Sequence, residues 1–162
     1  MKRDITLRSI NLSDTDSIVR WRNSDEVRLK MHDQRKLTAD QHRQYFSEYV
    51  ENGRILQYII VYGNTPVGTI FCKIIDVSIA EMGIFITPEQ QEKGYGSKAV
   101  NKFVELLRKT TTIDTLILKV LEANTTAINM YRKCGFIIAK DMVPKGFISM
   151  CLYINKKQDE GR

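Results

Sequence analysis

The spacing of apolar and polar positions changes several times along the chain, and each change marks an element. Ile5, Leu7 and Ser9 alternate with Thr6 and Arg8, the two-residue period of a strand. Ser13 or Asp14 is placed to cap a helix that carries Ile18, Trp21 and Arg22 and ends near Asn23-Ser24. A second helical stretch is expected over residues 27–31. Thr38-Ala39-Asp40-Gln41 then has the T-x-x-Q spacing of a capping box, opening a helix with His42, Tyr45, Phe46 and Tyr49 on one face. Residues 58–62, a turn at Gly63-Asn64 and residues 67–75 read as a hairpin, because Gly-Asn supplies the positive φ angles of a tight connection. Another strand covers 79–86 and stops at Thr87-Pro88. A helix over 95–109 places Val100, Phe103, Val104 and Leu107 at helical spacing, and a short strand follows at 116–120. Asn124 caps a last helix running to about Cys134, Gly135 ends it in the left-handed conformation, and residues 136–139 and 147–154 supply two closing strands. The pattern is that of an α/β chain with a mixed sheet.

At 162 residues this is one domain over 1–155, with a polar tail at 156–162. Apolar residues at 43% and charged residues at 27% are ordinary for a globular chain and exclude intrinsic disorder as its general state. The net charge of +6 favours anionic partners such as a nucleotide-bearing cofactor, and equally serves solubility. Cys72, Cys134 and Cys151 are odd in number and far apart, and only His32 and His42 could join them, so neither a disulfide framework nor a metal site is expected. No apolar run follows Met1-Lys2-Arg3-Asp4 and none reaches the ~20 residues of a membrane span, so a soluble cytoplasmic chain is expected. No RRM, KH or helix-turn-helix signature accompanies the positive charge, which argues against a nucleic-acid partner.

Gln91-Glu92-Lys93-Gly94-Tyr95-Gly96 stands between a strand and a helix, where two glycines let backbone N–H groups converge on an anion. Taken alone, this G-x-G is equally an ordinary tight turn. About thirty residues later comes N-x-x-A-x-x-x-Y-x-K-x-G-F, formed by Asn124, Ala127, Tyr131, Lys133, Gly135 and Phe136. The two motifs in this order resemble those of the GNAT superfamily of acyl-CoA-dependent N-acetyltransferases, and the resemblance extends over nearly the whole chain in element order.

The resemblance implies a mixed, mostly antiparallel seven-stranded sheet with about four helices, splayed between strands 4 and 5. It implies acetyl-CoA as acetyl donor, its pyrophosphate on the backbone of Gln91, Glu92, Lys93, Gly94, Tyr95 and Gly96 with Ser97 just inside the helix. Its pantetheine arm would pair with Ile84, Phe85 and Ile86 like an added strand, with Asn124, Ala127, Tyr131 and Lys133 also on the cofactor side. Tyr131 matches the family tyrosine beside the thioester sulfur. A phenol of pKa ~10 can donate to a thiolate whose conjugate acid is near ~8.5, so Tyr131 is the candidate general acid. An amine acceptor of pKa ~10.4 must lose a proton first, and Glu81, in Ala80-Glu81-Met82-Gly83, is the candidate base. A strand amide near Phe85 or Ile86 would polarise the carbonyl.

In this family the acceptor side is built by the N-terminal helices, the loop between them and the late strands. Between Arg20 and Arg43, Arg20, Arg22, Arg28, Lys30, Arg35, Lys36 and Arg43 outnumber Asp25, Glu26, Asp33 and Asp40. A polycation such as spermidine or an aminoglycoside is disfavoured there, and an anionic small-molecule acceptor is expected. Trp21-Arg22-Asn23-Ser24-Asp25, Met31 and Thr38 are similar to the amino-sugar nucleotide N-acetyltransferases of pseudaminic acid biosynthesis and, less specifically, to the ribosomal-protein N-terminal acetyltransferases. Arg22, Asn23, Met31 and His32 are the acceptor-site candidates, for a UDP-linked 4-amino-4,6-dideoxy sugar first, then a protein α-amine or a polyamine. A non-enzymatic acyl-CoA-binding module would keep the cradle without acid and base. A homodimer is implied by resemblance alone.

Overall fold

The structure, a computed structural model, describes residues 3–154, so the polar tail expected at 156–162 lies outside the described residues. Strand β1 (Ile5–Ser9) is followed by a 3-10 turn (Leu12–Asp14), helices α1 (Thr15–Asn23), α2 (Asp25–Arg28) and α3 (Ala39–Tyr45), and a π-helical turn (Phe46–Val50). Next come β2 (Ile55–Tyr62), β3 (Thr65–Ile74), β4 (Ile79–Ile86), α4 (Tyr95–Thr110), β5 (Thr115–Leu121), α5 (Thr125–Lys133), β6 (Ile137–Ala139) and β7 (Phe147–Tyr153). The seven strands form one sheet in the order β1-β2-β3-β4-β5-β7-β6, antiparallel throughout except for the parallel pair β4–β5.

There are five α-helices among the described residues where about four were expected. Ser24 takes an extended ψ of 144°, and its hydroxyl donates to the Trp21 carbonyl at 2.7 Å, so α1 stops there and a separate single turn, α2, begins. The start of α1 falls where the sequence places it, with Asp14 as N-cap and Thr15 the first helical residue, but the cap is made without a side-chain bond. Asn11 and Asp14 form the capping box around the 3-10 turn, and Arg8 engages both oxygens of Asp14 at 2.9 and 2.8 Å, so the Asp14 side chain is not free to cap α1. The other local signals act where they stand. Thr38 and Gln41 make the capping box of α3, Asn124 Oδ1 accepts from the Ala127 N–H, and Gly135 has φ +99°.

The alternation of β4 sorts the core into two layers. Ala80 and Met82 face α4 and α5, against Ala99, Val100, Phe103, Leu107 and Ile128. Each of the larger of these side chains, when fully buried, contributes roughly 1.5–3 kcal/mol. The opposite face carries a smaller cluster of Ile10, Ile18, Trp21, Phe46 and Ile59, which seats α1 and the end of α3, with Phe85 against it. Beneath this layer the Tyr45 hydroxyl donates to Gln57 Oε1 (3.2 Å), Gln57 Nε2 to Thr69 Oγ1 (3.0 Å) and Thr69 to the Tyr58 carbonyl (2.8 Å). The chain of bonds satisfies two buried polar residues, Gln57 and Thr69, and ties α3 to the sheet.

The decisive feature is the short pairing of β4 with β5. Their register covers only Ile79–Thr115, Ala80–Leu116 and Glu81–Ile117. Beyond it β4 stays with β3 to Ile86, and β5 stays with β7 to Leu121, so the sheet parts into two leaves. Gly68 keeps β3 close to β4, because a Cβ there would stand 2.2 Å from the Phe85 carbonyl oxygen.

His42 braces the α1–α3 layer. It is buried, its Nδ1 lies 3.0 Å from Thr15 Oγ1, and its Nε2 has no partner. Burial first, then Arg43, pushes its pKa below the usual value, while Asp14 opposes. The unfolded chain therefore binds a proton at a higher pH than the folded one, and stability is lost as the pH falls below about 6.5 until the folded-state pKa is passed. Urea unfolding followed across this window is expected to show the loss in the native chain and a flatter profile in His42→Gln.

Candidate active site

The loop that joins β4 to α4 is shaped by two left-handed residues. Glu92 has φ +63°, the sole positive φ at a non-glycine position among the described residues, and Gly94 has φ +79°. Gly94 is the N-cap of the 16-residue α4 and offers no capping side chain, so the amides at the start of that helix point outward together. No acidic residue stands in the first turn, and a Cβ on Gly94 would meet nothing within 4 Å. Such a concave run of amides at a helix N-terminus fits a pyrophosphate. Glu92, Lys93 and Gly94 are exposed, while Gln91, Tyr95, Gly96 and Ser97 are half-buried. Tyr95 stacks on Tyr62 at 4.7 Å, and the Ser97 hydroxyl donates to the Gly94 carbonyl.

Main-chain direction along β4 follows from one hydrogen bond. Thr87 N donates to the Val67 carbonyl at 2.8 Å, and antiparallel alternation then turns the Phe85 amide onto Thr69 of β3. The N–H and C=O groups of Met82, Ile84 and Ile86 face the other way; the Met82 N–H still closes the last β4–β5 pair, Glu81–Ile117, and the gap opens along Ile84 and Ile86. The Ile86 carbonyl is already bonded by Gln91 Nε2 at 3.0 Å. Of the three residues expected to pair with a cofactor arm, Ile84 and Ile86 present their backbone to the gap. Phe85 spends its amide on β3 and packs its ring toward α1 and α3.

Tyr131 and Glu81 lie on opposite faces of the sheet. Tyr131 sits in the α4–α5 layer, its ring 5.6 Å from Phe136, and burial, with the Cys134 thiol beside it, pushes its phenol above the ordinary pKa. The shift keeps the phenol protonated at neutral pH and makes it a weaker acid than a free tyrosine. Asn124 and Ala127 are half-buried one turn apart at the start of the same helix, and Lys133 is exposed at its end. Glu81 projects from the other face, as the last β4 residue paired with β5. Its Oε2 lies 3.4 Å from Lys119 Nζ of β5, and its cross-strand neighbour on β3 is Lys73. Two residues along β4, Gly83 carries the Phe71 ring, where a Cβ would stand 2.3 Å from the ring edge.

The acceptor candidates fall into two groups. His32 is exposed and meets Phe147 of β7 edge-on at 5.5 Å, which brings the α2–α3 loop across the parted leaves; Met31 beside it is half-buried. Arg22 and Asn23 hold that loop. Asn23 exchanges two bonds of 2.7 Å with the Leu37 backbone, using its amide nitrogen and its oxygen. Arg22 donates to the Asp33 carbonyl, and burial holds its guanidinium below the usual pKa. Three of the local acids are spent on neighbours in the pairs Arg28–Asp25, Arg35–Asp33 and Arg43–Asp40. Between α1 and the end of β4 lies a cleft of about 520 Å³, lined by Ser17, Arg20, Trp21, Thr87 and Glu89 among others. Sequence reasoning missed Lys119, Phe71 and Phe147. Lys119, a lone charge among the apolar residues of β5, is the one of the three with a signal of its own.

Among the described residues no group of three or more His, Cys, Asp or Glu side chains is placed to hold a metal ion, and no helix is long and apolar enough to cross a membrane. The profile of the acetyltransferase (GNAT) domain matches residues 4–137. The spermidine N(1)-acetyltransferase of Vibrio cholerae is 20% identical over 154 residues, 92% of this chain and 88% of that protein. The crystal structure of the Vibrio cholerae spermidine N-acetyltransferase in complex with CoA and spermine superposes with a TM-score of 0.83 at 18% identity, over 93% of this chain and 95% of that one. A domain from Methanocaldococcus jannaschii gives 0.83 at 19%, over 94% and 99%, and the aminoglycoside acetyltransferase AAC(6')-Ib in complex with coenzyme A gives 0.80 at 19%, over 93% and 95%. With its profile matched from the first strand to the start of β6, and with the parted sheet and amide cradle in place, the chain belongs to the GNAT acetyltransferase family.

Proposed function

We propose that this acetyltransferase moves the acetyl group of acetyl-CoA onto the primary amine of an anionic small molecule, with a nucleotide-linked amino sugar as the leading acceptor. The observation that carries the transfer is the placement of an acid and a carboxylate on opposite faces of a sheet that opens between them. Acetyl-CoA supplies the activated thioester; the chain supplies the rest. The amides at the start of α4 receive the pyrophosphate, and the gap-facing backbone of Ile84 and Ile86 aligns the arm. Glu81 takes the proton of the incoming ammonium on the α1–α3 face. Tyr131 returns a proton to the sulfur from the α4–α5 face.

The acceptor reading rests on charge. The site carboxylate Glu81 already faces Lys119, and Arg20 in the adjacent cleft has no carboxylate partner among the described residues, nor do Lys30 and Lys36. A polyamine gains little from such a surface, whereas a pyrophosphate finds one guanidinium, Arg20, and the hydroxyls of Ser17, Ser24 and Thr87 in a cleft of ligand size, with Glu89 as its one acid. The relatives named for spermidine or aminoglycoside share about a fifth of their residues with this chain, and their acceptors do not transfer at that distance.

Three outcomes are expected. A thiol-release assay offering a UDP-4-amino-4,6-dideoxy sugar, an alanine-starting peptide and spermine in parallel is expected to turn over the nucleotide sugar; turnover of peptide or spermine alone would overturn the acceptor reading and leave acetyl transfer standing. Gly94→Ala puts a Cβ on a left-handed residue at a cost of ~1 kcal/mol and is expected to weaken acetyl-CoA binding by calorimetry roughly fivefold. Tyr131→Phe is expected to lower kcat by on the order of a hundredfold while acetyl-CoA affinity stays close to that of the native chain.

A further inference from the structure

Lys119 has no part in the transfer described so far, yet it is the ammonium that Glu81 already holds. Its root on β5 is two residues past Ile117, where pairing with β4 ends, so it stands at the point where the leaves part. Its Nζ is 3.4 Å from Glu81 Oε2, and the side chain is partly open to solvent. Its cross-strand neighbour on β7, Ser149, is buried and donates to Asp141 at 3.2 Å, so the β7 side offers an occupied hydroxyl and the lysine leans across the gap to Glu81. Lys73, the other lysine beside Glu81 by register, is rooted on β3, away from the opening.

A carboxylate placed to deprotonate an amine, with an amine already against it, describes an acceptor complex with the acceptor built in. We propose that Lys119 is an acetyl acceptor of this same site, modified by the enzyme's own acetyl-CoA when no external amine occupies the cleft. The inference rests on the acetyl-transfer reading above. In the step, the Nζ lone pair bonds to the acetyl carbonyl carbon, and the carbon–sulfur bond breaks with its electron pair on the CoA sulfur. The ammonium loses two protons. One leaves through Glu81 to solvent and frees the lone pair. The other leaves the nitrogen as the amide forms, balancing the proton that the thiolate takes from Tyr131 once the phenol is restored. The products are Nε-acetyl-Lys119 and CoA. The modification deletes the charge opposite Glu81 and fills the opening, so it limits idle turnover of the donor.

The test is incubation of the purified full chain with acetyl-CoA and no acceptor, followed by intact mass and peptide mapping, with Lys73 as the internal standard. One acetyl group at Lys119 is expected, gained at least ~10-fold faster than at Lys73 as befits a positioned nucleophile. Its rate constant is expected to be independent of protein concentration, suppressed by excess CoA, and slowed by on the order of a hundredfold in Tyr131→Phe. Lys119→Arg, which keeps the charge, is expected to lose the modification while melting close to the native chain. Acetyl groups spread evenly over surface lysines, at rates indifferent to CoA and to Tyr131→Phe, would mark simple chemical acetylation and overturn the proposal. An unmodified Lys119 in an enzyme that acetylates an external amine would overturn it and leave the transfer reading intact. Failure to bind acetyl-CoA at all, seen by calorimetry, would overturn both.

Discussion

Everything at this site depends on β4 and β5 separating after three residue pairs. Backbone donors and acceptors left unpaired inside a sheet are costly, and a strand is normally continued or covered. Here each strand keeps its outer partner, β3 or β7, and turns its inner edge toward a gap in which no described residue pairs with the backbone of Ile84. The vacant ladder is a recognition surface in its own right, because it accepts any molecule that presents amides at strand spacing. Tyr131 belongs to one layer and Glu81 projects toward the other, and without the parting the sheet would insulate them.

The α1–α3 layer is held to the sheet by few but specific contacts. The paired bonds between Asn23 and Leu37 imitate a stretch of β-ladder inside a loop, and the His32–Phe147 contact sets that loop against the far leaf. Because α2 is a single turn and the loop after it is mostly exposed, the path of residues 29–37 depends on these side chains rather than on helix continuity. A loop held this way can change its exposed side chains without disturbing the core beneath.

What could be read from residue order was what local chemistry decides. The Thr38–Gln41 capping box, the Asn124 cap and the left-handed Gly135 each involve groups within four residues, so the sequence signal and the physical cause coincide. Asp14 stands at the N-cap of α1 as expected, but its side chain does not cap the helix, because Arg8, six residues upstream in β1, takes its carboxylate. The acceptor role expected of Asn23 could not anticipate Leu37, fourteen residues away, for the same kind of reason. The inner face of β4 is a matter of register. Sequence names Ile84, Phe85 and Ile86 alike, and only the bond from Thr87 to Val67 decides which of them look into the gap. Lys119 was visible as an odd charge in an apolar strand, but its partner is on a strand more than thirty residues earlier, and no spacing links them.

Gln91 bonds the last gap-facing carbonyl of β4, at Ile86, from the loop that forms the cradle. A linear molecule laid along this edge finds its first free positions at a fixed offset from the glycine turn that opens α4. Slippage is possible only in steps of two residues, ~6.8 Å, because alternate amides face the other strand. The loop and the strand thus act together as a ruler. A donor with an arm of the right length delivers its reactive end to the point where the leaves meet, and a shorter or longer one delivers it to bare backbone on either side.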